Sequence, residues 1–281
     1  MISFIKRFLK KLFEAKSIND YGLLLDELRN YIYYDLFETR KIIKAKTLAN
    51  WFKGTIILYI IFLMYIYQNF QLQSYIYLNL HGSYGLLWVC KSFIFPDPQF
   101  EKEMTLLSAI GGVGILSLYL IIPHQMISLN IENNYNINRI LLCSFLFIFG
   151  VTLMMVSDCQ KFYELKYKPK DTNNKTIKSG AFYCCRNPNY LGEMLLYLSF
   201  AILSNSNLSY YILFFIWSTV FLVNISCKEF SFIRKPDWNT YKKHSWILLP
   251  KVFPDSSLYS SIFYIIIGGV IYITKDFFKA Y

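Results

Sequence analysis

The chain has 281 residues, of which 55% are hydrophobic, 19% aromatic and only 17% charged, and its net charge is +11. Soluble domains carry about 25% charged residues, so this balance excludes an ordinary soluble protein. It also excludes a disordered chain, a collagen-like repeat and a small disulfide scaffold, which leaves a polytopic membrane protein with basic exposed loops.

The N-terminal stretch alternates apolar and basic residues at helical spacing. Ile5, Phe8, Leu9, Leu12 and Phe13 share one face, and Lys6, Arg7, Lys10 and Lys11 lie mostly on the other. This pattern predicts a cationic amphipathic helix, either lying on an anionic membrane surface or packed on the protein itself. Residues 18–53 continue as mixed, helical sequence. Segments 1–53 are therefore expected to form a cytosolic N-terminal part.

A membrane span needs about 20 mostly apolar residues. Candidates lie at 54–70, 74–95, 104–126, 138–156, 190–206, 208–226 and 260–275. The expected fold class is an all-α polytopic integral membrane helix bundle with six or seven transmembrane helices. It divides into an N-terminal transmembrane half at 54–137, a second half at 138–258, and a C-terminal helix and tail at 259–281. Segments 1–53, 157–189 and 227–258 hold 11, 7 and 6 Lys and Arg residues. The positive-inside rule places all three on the cytosolic side, with Lys91 and Lys102 flanking a fourth loop there. Arg139, Lys275 and Lys279 fall on the other side.

The six cysteines are scattered, form no CxxC pair and read as reduced, packing thiols; Cys184-Cys185 fits no zinc spacing. The three histidines are dispersed, so no metal is expected. Gly111-Gly112-Val113-Gly114 lies inside an apolar span, and no GxGxxG follows a strand, which excludes a Rossmann site. Nothing points to nucleic acid.

Chemistry-bearing residues gather at the basic face of the second half. Ser157-Asp158-Cys159-Gln160-Lys161 ends the fourth span. A carboxylate at a helix C-terminus opposes the helix dipole, so Asp158 calls for a basic partner or a ligand hydroxyl. Arg186-Asn187-Pro188-Asn189-Tyr190-Leu191-Gly192-Glu193 then opens the fifth span. Pro188 suits a helix start; Asn189, Tyr190 and Glu193 are expected on one face, and Gly192 admits a close backbone approach. Glu193 in an apolar helix costs roughly 2–3 kcal/mol unless it is paired or wet, and Arg186 is its expected partner. A third stretch, Lys228 to Tyr241 and on to Leu248-Leu249-Pro250, is basic and aromatic. It reads either as a phosphate clamp built on Arg234 and Lys235 or as a plain positive loop.

Together these patches resemble the C-terminal domain of the steroid 5α-reductase superfamily, which includes the sterol Δ14- and Δ7-reductases. That domain typically shows an Asp or Asn two residues before a Gln, then G-x-(F/W)…R-H-P-N-Y-x-G-(E/D), then (W/D)-x-x-Y…(L/I)-(I/L)-P. Here the matching residues are Asp158 to Lys161, Gly180-Ala181-Phe182 with Arg186 to Glu193, and Trp238 to Tyr241 with Leu248-Leu249-Pro250. The likeness covers residues 140–255, with Asn187 in place of the usual His.

The resemblance implies NADPH bound between helices, lined by Asp158, Asn189, Tyr190, Glu193, Arg234 and Tyr241, with Arg186 and Gly192 of the same turn in the cofactor-binding set. It implies hydride transfer to a C=C bond of a lipophilic substrate drawn from the bilayer (a sterol, a polyprenoid or an enoyl lipid), in the endoplasmic reticulum. A proton must then be delivered. His81, Tyr84, Trp88 and Lys91 form one helical stripe, from which Tyr84 and His81 are the candidate catalytic residues. Two other classes stay open. One is a membrane S-adenosylmethionine-dependent methyltransferase, resembling the isoprenylcysteine and phospholipid methyltransferases, with Glu193 on the ligand's ammonium. The other is a non-catalytic lipid-binding scaffold.

Overall fold

The computed structural model describes residues 2–128, 136–167 and 176–274. The expected C-terminal tail and its Lys275 and Lys279 lie outside the described residues. The chain begins with α1 (Ile2–Glu14) and α2 (Ile18–Tyr34). A reciprocal cap starts α2: Ser17 Oγ accepts from the Asp20 amide, and the Asp20 carboxylate accepts from the Ser17 amide. Strand β1 (Lys41–Lys44) pairs antiparallel with β2 (Glu103–Thr105), which ties the N-terminal segment to the loop before the third apolar run.

The helices α3 (Ala45–Gly54), α4 (Ile56–Ile66), α5 (Leu72–Ile94), α6 (Leu106–Leu118) and α7 (Ile121–Ser128) make the first half. The second half holds α8 (Ile137–Tyr167), α9 (Pro188–Ser204), α10 (Asn207–Ile216), α11 (Leu222–Ile233), α12 (Trp238–His244) and α13 (Ser257–Thr274). One widened turn, Trp217–Phe221, links α10 to α11.

Among the described residues, four helices are long and apolar enough to cross a membrane: Ala45–Ile66, Leu106–Ser128, Ile137–Tyr167 and Asn207–Ile233. The first begins at Ala45, ahead of the expected boundary at 54. Helix α5 has the length but not the apolarity, because its polar residues point inward: Ser74, Tyr77, His81, Tyr84 and Lys91 are all buried. Helix α9 is well packed but has only 17 residues.

The helices run between two ends of the bundle. At one end Lys46 pairs with Glu101, Lys161 with Asp97, and Gly22 of α2 lies against Phe230 of α11. At the other, Asn69 Nδ2 donates to the Ile127 carbonyl and Ser204 Oγ to Ser209 Oγ. The basic segments predicted to share a face thus meet at one end wherever they are described.

The tightest packing joins α8 and α9, which run antiparallel. A Cβ on Gly192 would stand 2.6 Å from the Gly150 carbonyl oxygen and 2.6 Å from the Met154 amide nitrogen. Small residues let two backbones meet in this way inside a membrane bundle. Around this seam the core is aromatic: Tyr77, Tyr84, Tyr197 and Phe200 are fully buried, and Tyr119 stacks on Tyr197 with centroids 4.1 Å apart. Outward faces carry Phe62, Ile110, Phe145, Ile148 and Phe214, all exposed, as an apolar solvent requires.

Candidate functional site

The two halves meet at a buried cluster of charged and phenolic groups. Lys53, near the end of α3, enters it because Gly85 of α5 lets the helices touch; a Cβ there would lie 2.2 Å from the Lys53 carbonyl oxygen. Lys53 is 8% exposed. Its Nζ donates to the Tyr84 hydroxyl at 2.5 Å and to Glu193 Oε1 at 3.2 Å, and it sits 3.4 Å from the centroid of the Trp88 ring. The Tyr84 hydroxyl donates to the same Glu193 oxygen at 3.1 Å. A phenol is therefore held between an ammonium and a carboxylate, walled by Trp88 and Tyr197.

Two turns beyond Tyr84 along α5, Lys91 pairs with Asp158 of α8. Asn189 Nδ2 donates to the other Asp158 oxygen at 3.1 Å. Asn189 Oδ1 is buried and has no partner among the described residues. The expected helix end at Asp158 is corrected, because α8 runs on to Tyr167 and holds Asp158 in its interior; a buried carboxylate still needs a counter-charge, and Lys91 supplies it.

Glu193 is also paired, but the expected Arg186–Glu193 contact is corrected. Lys53 is the partner of Glu193, and Arg186 faces Glu229 instead, with Nε–Oε distances of 2.9 and 3.0 Å. Arg186 Nη1 also donates to the Ser245 carbonyl at 2.6 Å, and its guanidinium lies 5.1 Å from the Trp238 ring centroid. Backbone bonds from Arg186 to Trp246 and from Trp246 and Lys251 to Cys184 knit this turn to residues 245–251. Asn187 Nδ2 donates to the Ile247 carbonyl, and the Tyr241 hydroxyl to the Phe182 carbonyl. The second and third sequence patches are therefore two sides of one clasp. Burial pushes the Cys185 thiol up to about 12, in keeping with a packing role. Arg186→Lys keeps the charge and loses the fork, and is expected to cost about 2 kcal/mol in thermal unfolding.

The shared face expected for Asn189, Tyr190 and Glu193 is also corrected. Asn189 and Glu193 point toward α8 and α5, whereas the Tyr190 ring packs on Phe221 at 5.3 Å with Lys228 Nζ 4.6 Å from its centroid. One residue is a 100° turn, which carries Tyr190 to the neighbouring helix. Gly192 is spent on the α8–α9 seam. Arg234, at the end of α11, is exposed and has no ion pair among the described residues. His81 lies deeper, its Nδ1 3.0 Å from the Tyr77 hydroxyl and its ring stacked 4.3 Å from Phe200. Of the two expected catalytic residues, only Tyr84 reaches Glu193.

Lys53 escaped the sequence reading because it sits at the expected edge of the first span, where a lysine reads as a flanking charge. Its signal was available: the apolar face of Leu48, Phe52, Ile56 and Ile60 continues past it.

Beside the cluster, Asp97 pairs with Lys161 at 2.6 Å. Burial disfavours the Asp97 carboxylate, but the ammonium outweighs burial and holds its pKa below the usual range. Asp97→Asn is expected to lower the unfolding temperature at neutral pH. The deficit should shrink as pH falls through the folded-state value of Asp97, where the wild-type carboxylate is itself protonated.

No curated protein and no solved structure matches the chain. A family described as a protein of unknown function, DUF1295, matches residues 101–245. That stretch holds Asp158, Asn189, Glu193, Arg186 and Glu229, but leaves out Lys53 and Tyr84 on the N-terminal side and Trp246, Ile247 and Lys251 of the clasp on the other. With just over half its length matched, the chain belongs to the DUF1295 family.

Proposed function

We propose that this protein is an NADPH-dependent oxidoreductase of the endoplasmic reticulum membrane that reduces a C=C bond of a lipophilic substrate. The reading takes α5 and α9 as further spans and α13 as a seventh, with the N-terminus cytosolic. The observation that carries it is the Lys53–Tyr84–Glu193 contact: an acid–base set buried where the two halves join. The likeness of residues 140–255 to steroid 5α-reductases supplies the cofactor.

The residues present fit a nicotinamide group. A carboxamide offers both a donor and an acceptor, and the unpartnered Asn189 Oδ1 is a buried acceptor. Asp158 orients Asn189, and Lys91 neutralises Asp158. When bound, the cofactor supplies a hydride.

The chain's own task is the proton. The Tyr84 O–H turns from Glu193 to the carbon or oxygen that becomes basic as the double bond is reduced. Lys53, already bonded to the phenolic oxygen, stabilises the phenolate left behind and returns a proton to it. The aromatic walls exclude water, so this charge acts in a medium of low dielectric.

Asn187 also favours reduction over methyl transfer. Where the methyltransferases rely on a His in this turn, Asn187 is used to tie the turn to Ile247.

The test is thermal unfolding of the detergent-purified full chain with NADPH, NADH or S-adenosylmethionine, on wild type and Asn189→Leu. NADPH at 100 times its dissociation constant is expected to add about 2.7 kcal/mol, and Asn189→Leu to lose most of that gain. Stabilisation by S-adenosylmethionine alone would replace the proposal with methyl transfer. No response to any of the three would favour the scaffold.

A further inference from the structure

Helix α1 is held on α2 by one edge. Phe4 is buried and stacks on Tyr31 with centroids 3.7 Å apart. Lys11 pairs with Glu27 at 2.8 Å, Arg7 reaches Glu27 and Glu38, and Ser3 Oγ donates to Glu38 at 2.7 Å. These contacts use the N-terminal turn and the Arg7–Lys11 edge. Phe8 is half-buried against Phe4, but the remainder of the apolar face is uncovered: Ile5, Leu9 and Leu12 are exposed, and Phe13 is 85% exposed. Ile18, at the start of α2, continues the patch at 60% exposed.

Where α1 sits matters as much as what it shows. Helix α2 lies across the ends of two apolar helices. Gly22 meets Phe230 at the end of Leu222–Ile233, and the Ile32 carbonyl accepts from Ser108 Oγ at the start of Leu106–Leu118. Both belong to helices long enough to span a membrane, so α1 rides at the level where those helices leave the bilayer. Its charge fits that position. Arg7 and Lys11 are engaged with Glu27 of α2, whereas the Lys6 and Lys16 side chains are exposed with no ion pair among the described residues, only the Lys16 backbone amide donating to the Asp20 carboxylate. Lys10 has only Glu14, 3.9 Å away and itself exposed.

We propose that α1 and the first turn of α2 form a docking surface for the anionic leaflet of the membrane that holds the bundle. Leu9, Leu12 and Phe13 enter the boundary between headgroups and acyl chains, while Lys6, Lys10 and Lys16 face lipid phosphates. Docking pins the N-terminal segment, and through β1 and β2 the 95–105 loop, to the membrane plane. This inference does not depend on the reductase reading.

Its test uses the full chain in nanodiscs of phosphatidylcholine, with or without phosphatidylglycerol, each prepared both unbrominated and with chains brominated near the headgroup. Phe13→Trp adds one indole at a position that is 85% exposed, so the fold is undisturbed. The emission gained over wild type is expected to fall at least about twofold against unbrominated discs when phosphatidylglycerol is present. Lys6→Glu with Lys10→Glu in that background should remove most of this quenching. Added emission that brominated lipid leaves untouched and aqueous iodide quenches would overturn the proposal. So would emission that depends on protein concentration together with a dimeric mass, which would make a second copy the occupant.

Discussion

Lys53→Met is expected to destabilise the protein by about 3–5 kcal/mol, because it strands the Glu193 carboxylate against an aromatic wall with only the Tyr84 hydroxyl to meet it. Glu193→Leu should cost a similar amount for the mirror reason: the Lys53 ammonium keeps the Tyr84 hydroxyl and the Trp88 face but loses its counter-charge. The informative variant is the double one. Replacing both partners by apolar side chains of similar volume leaves no buried charge, so Lys53→Met with Glu193→Leu should recover much of the loss. Thermal unfolding of the three variants in one detergent reads the coupling directly. Costs that simply add would mean the two groups are solvated separately and the contact is incidental.

Gly192→Val is expected to be the most damaging single change in the second half. Its Cβ would meet backbone atoms of Gly150 and Met154, which cannot turn aside as a side chain can. The seam must open, at a cost of at least about 3 kcal/mol or failure to assemble. Gly111 and Gly114 provide the contrast, since nothing lies within 4 Å of a Cβ at either. Gly114→Ala should be neutral, or stabilising by up to about 1 kcal/mol through helix propensity. Recovery of monodisperse protein after detergent extraction, followed by thermal unfolding, separates the two cases.

The helical membrane character, the inward polar stripe on α5 and the shared end of the basic segments were all legible in the sequence. Each follows from composition or from a period of 3.6 residues. Asp158, Asn189 and Glu193 were legible as a group because carboxylates and amides in apolar helices need partners, although Asp158 lies inside α8 and not at its end. The partners themselves were not. The Lys53–Glu193 contact spans the two halves, and no local pattern encodes a pairing at that separation. Arg186 was matched with Glu193 because the two lie close in sequence; the chain instead turns Arg186 back toward Glu229 and the 245–251 stretch. Gly192 was legible as a site of close approach, though what approaches is helix α8. The length of α3 and α4 was misjudged because a lysine-bearing face reads as exposed until a neighbouring helix is known to cover it.

In the proposed reaction a hydride and a proton reach a lipid double bond. The most direct test incubates the purified protein with cell-derived neutral lipids and NADPH deuterated at the reactive carbon, followed by mass spectrometry of the lipids. Reduction predicts one deuterium in the product from labelled NADPH, one deuterium on the other carbon when unlabelled NADPH is used in heavy water, and loss of both products in Tyr84→Phe. Lipids that stay unlabelled with NADPH but gain a deuterated methyl group from labelled S-adenosylmethionine would contradict it.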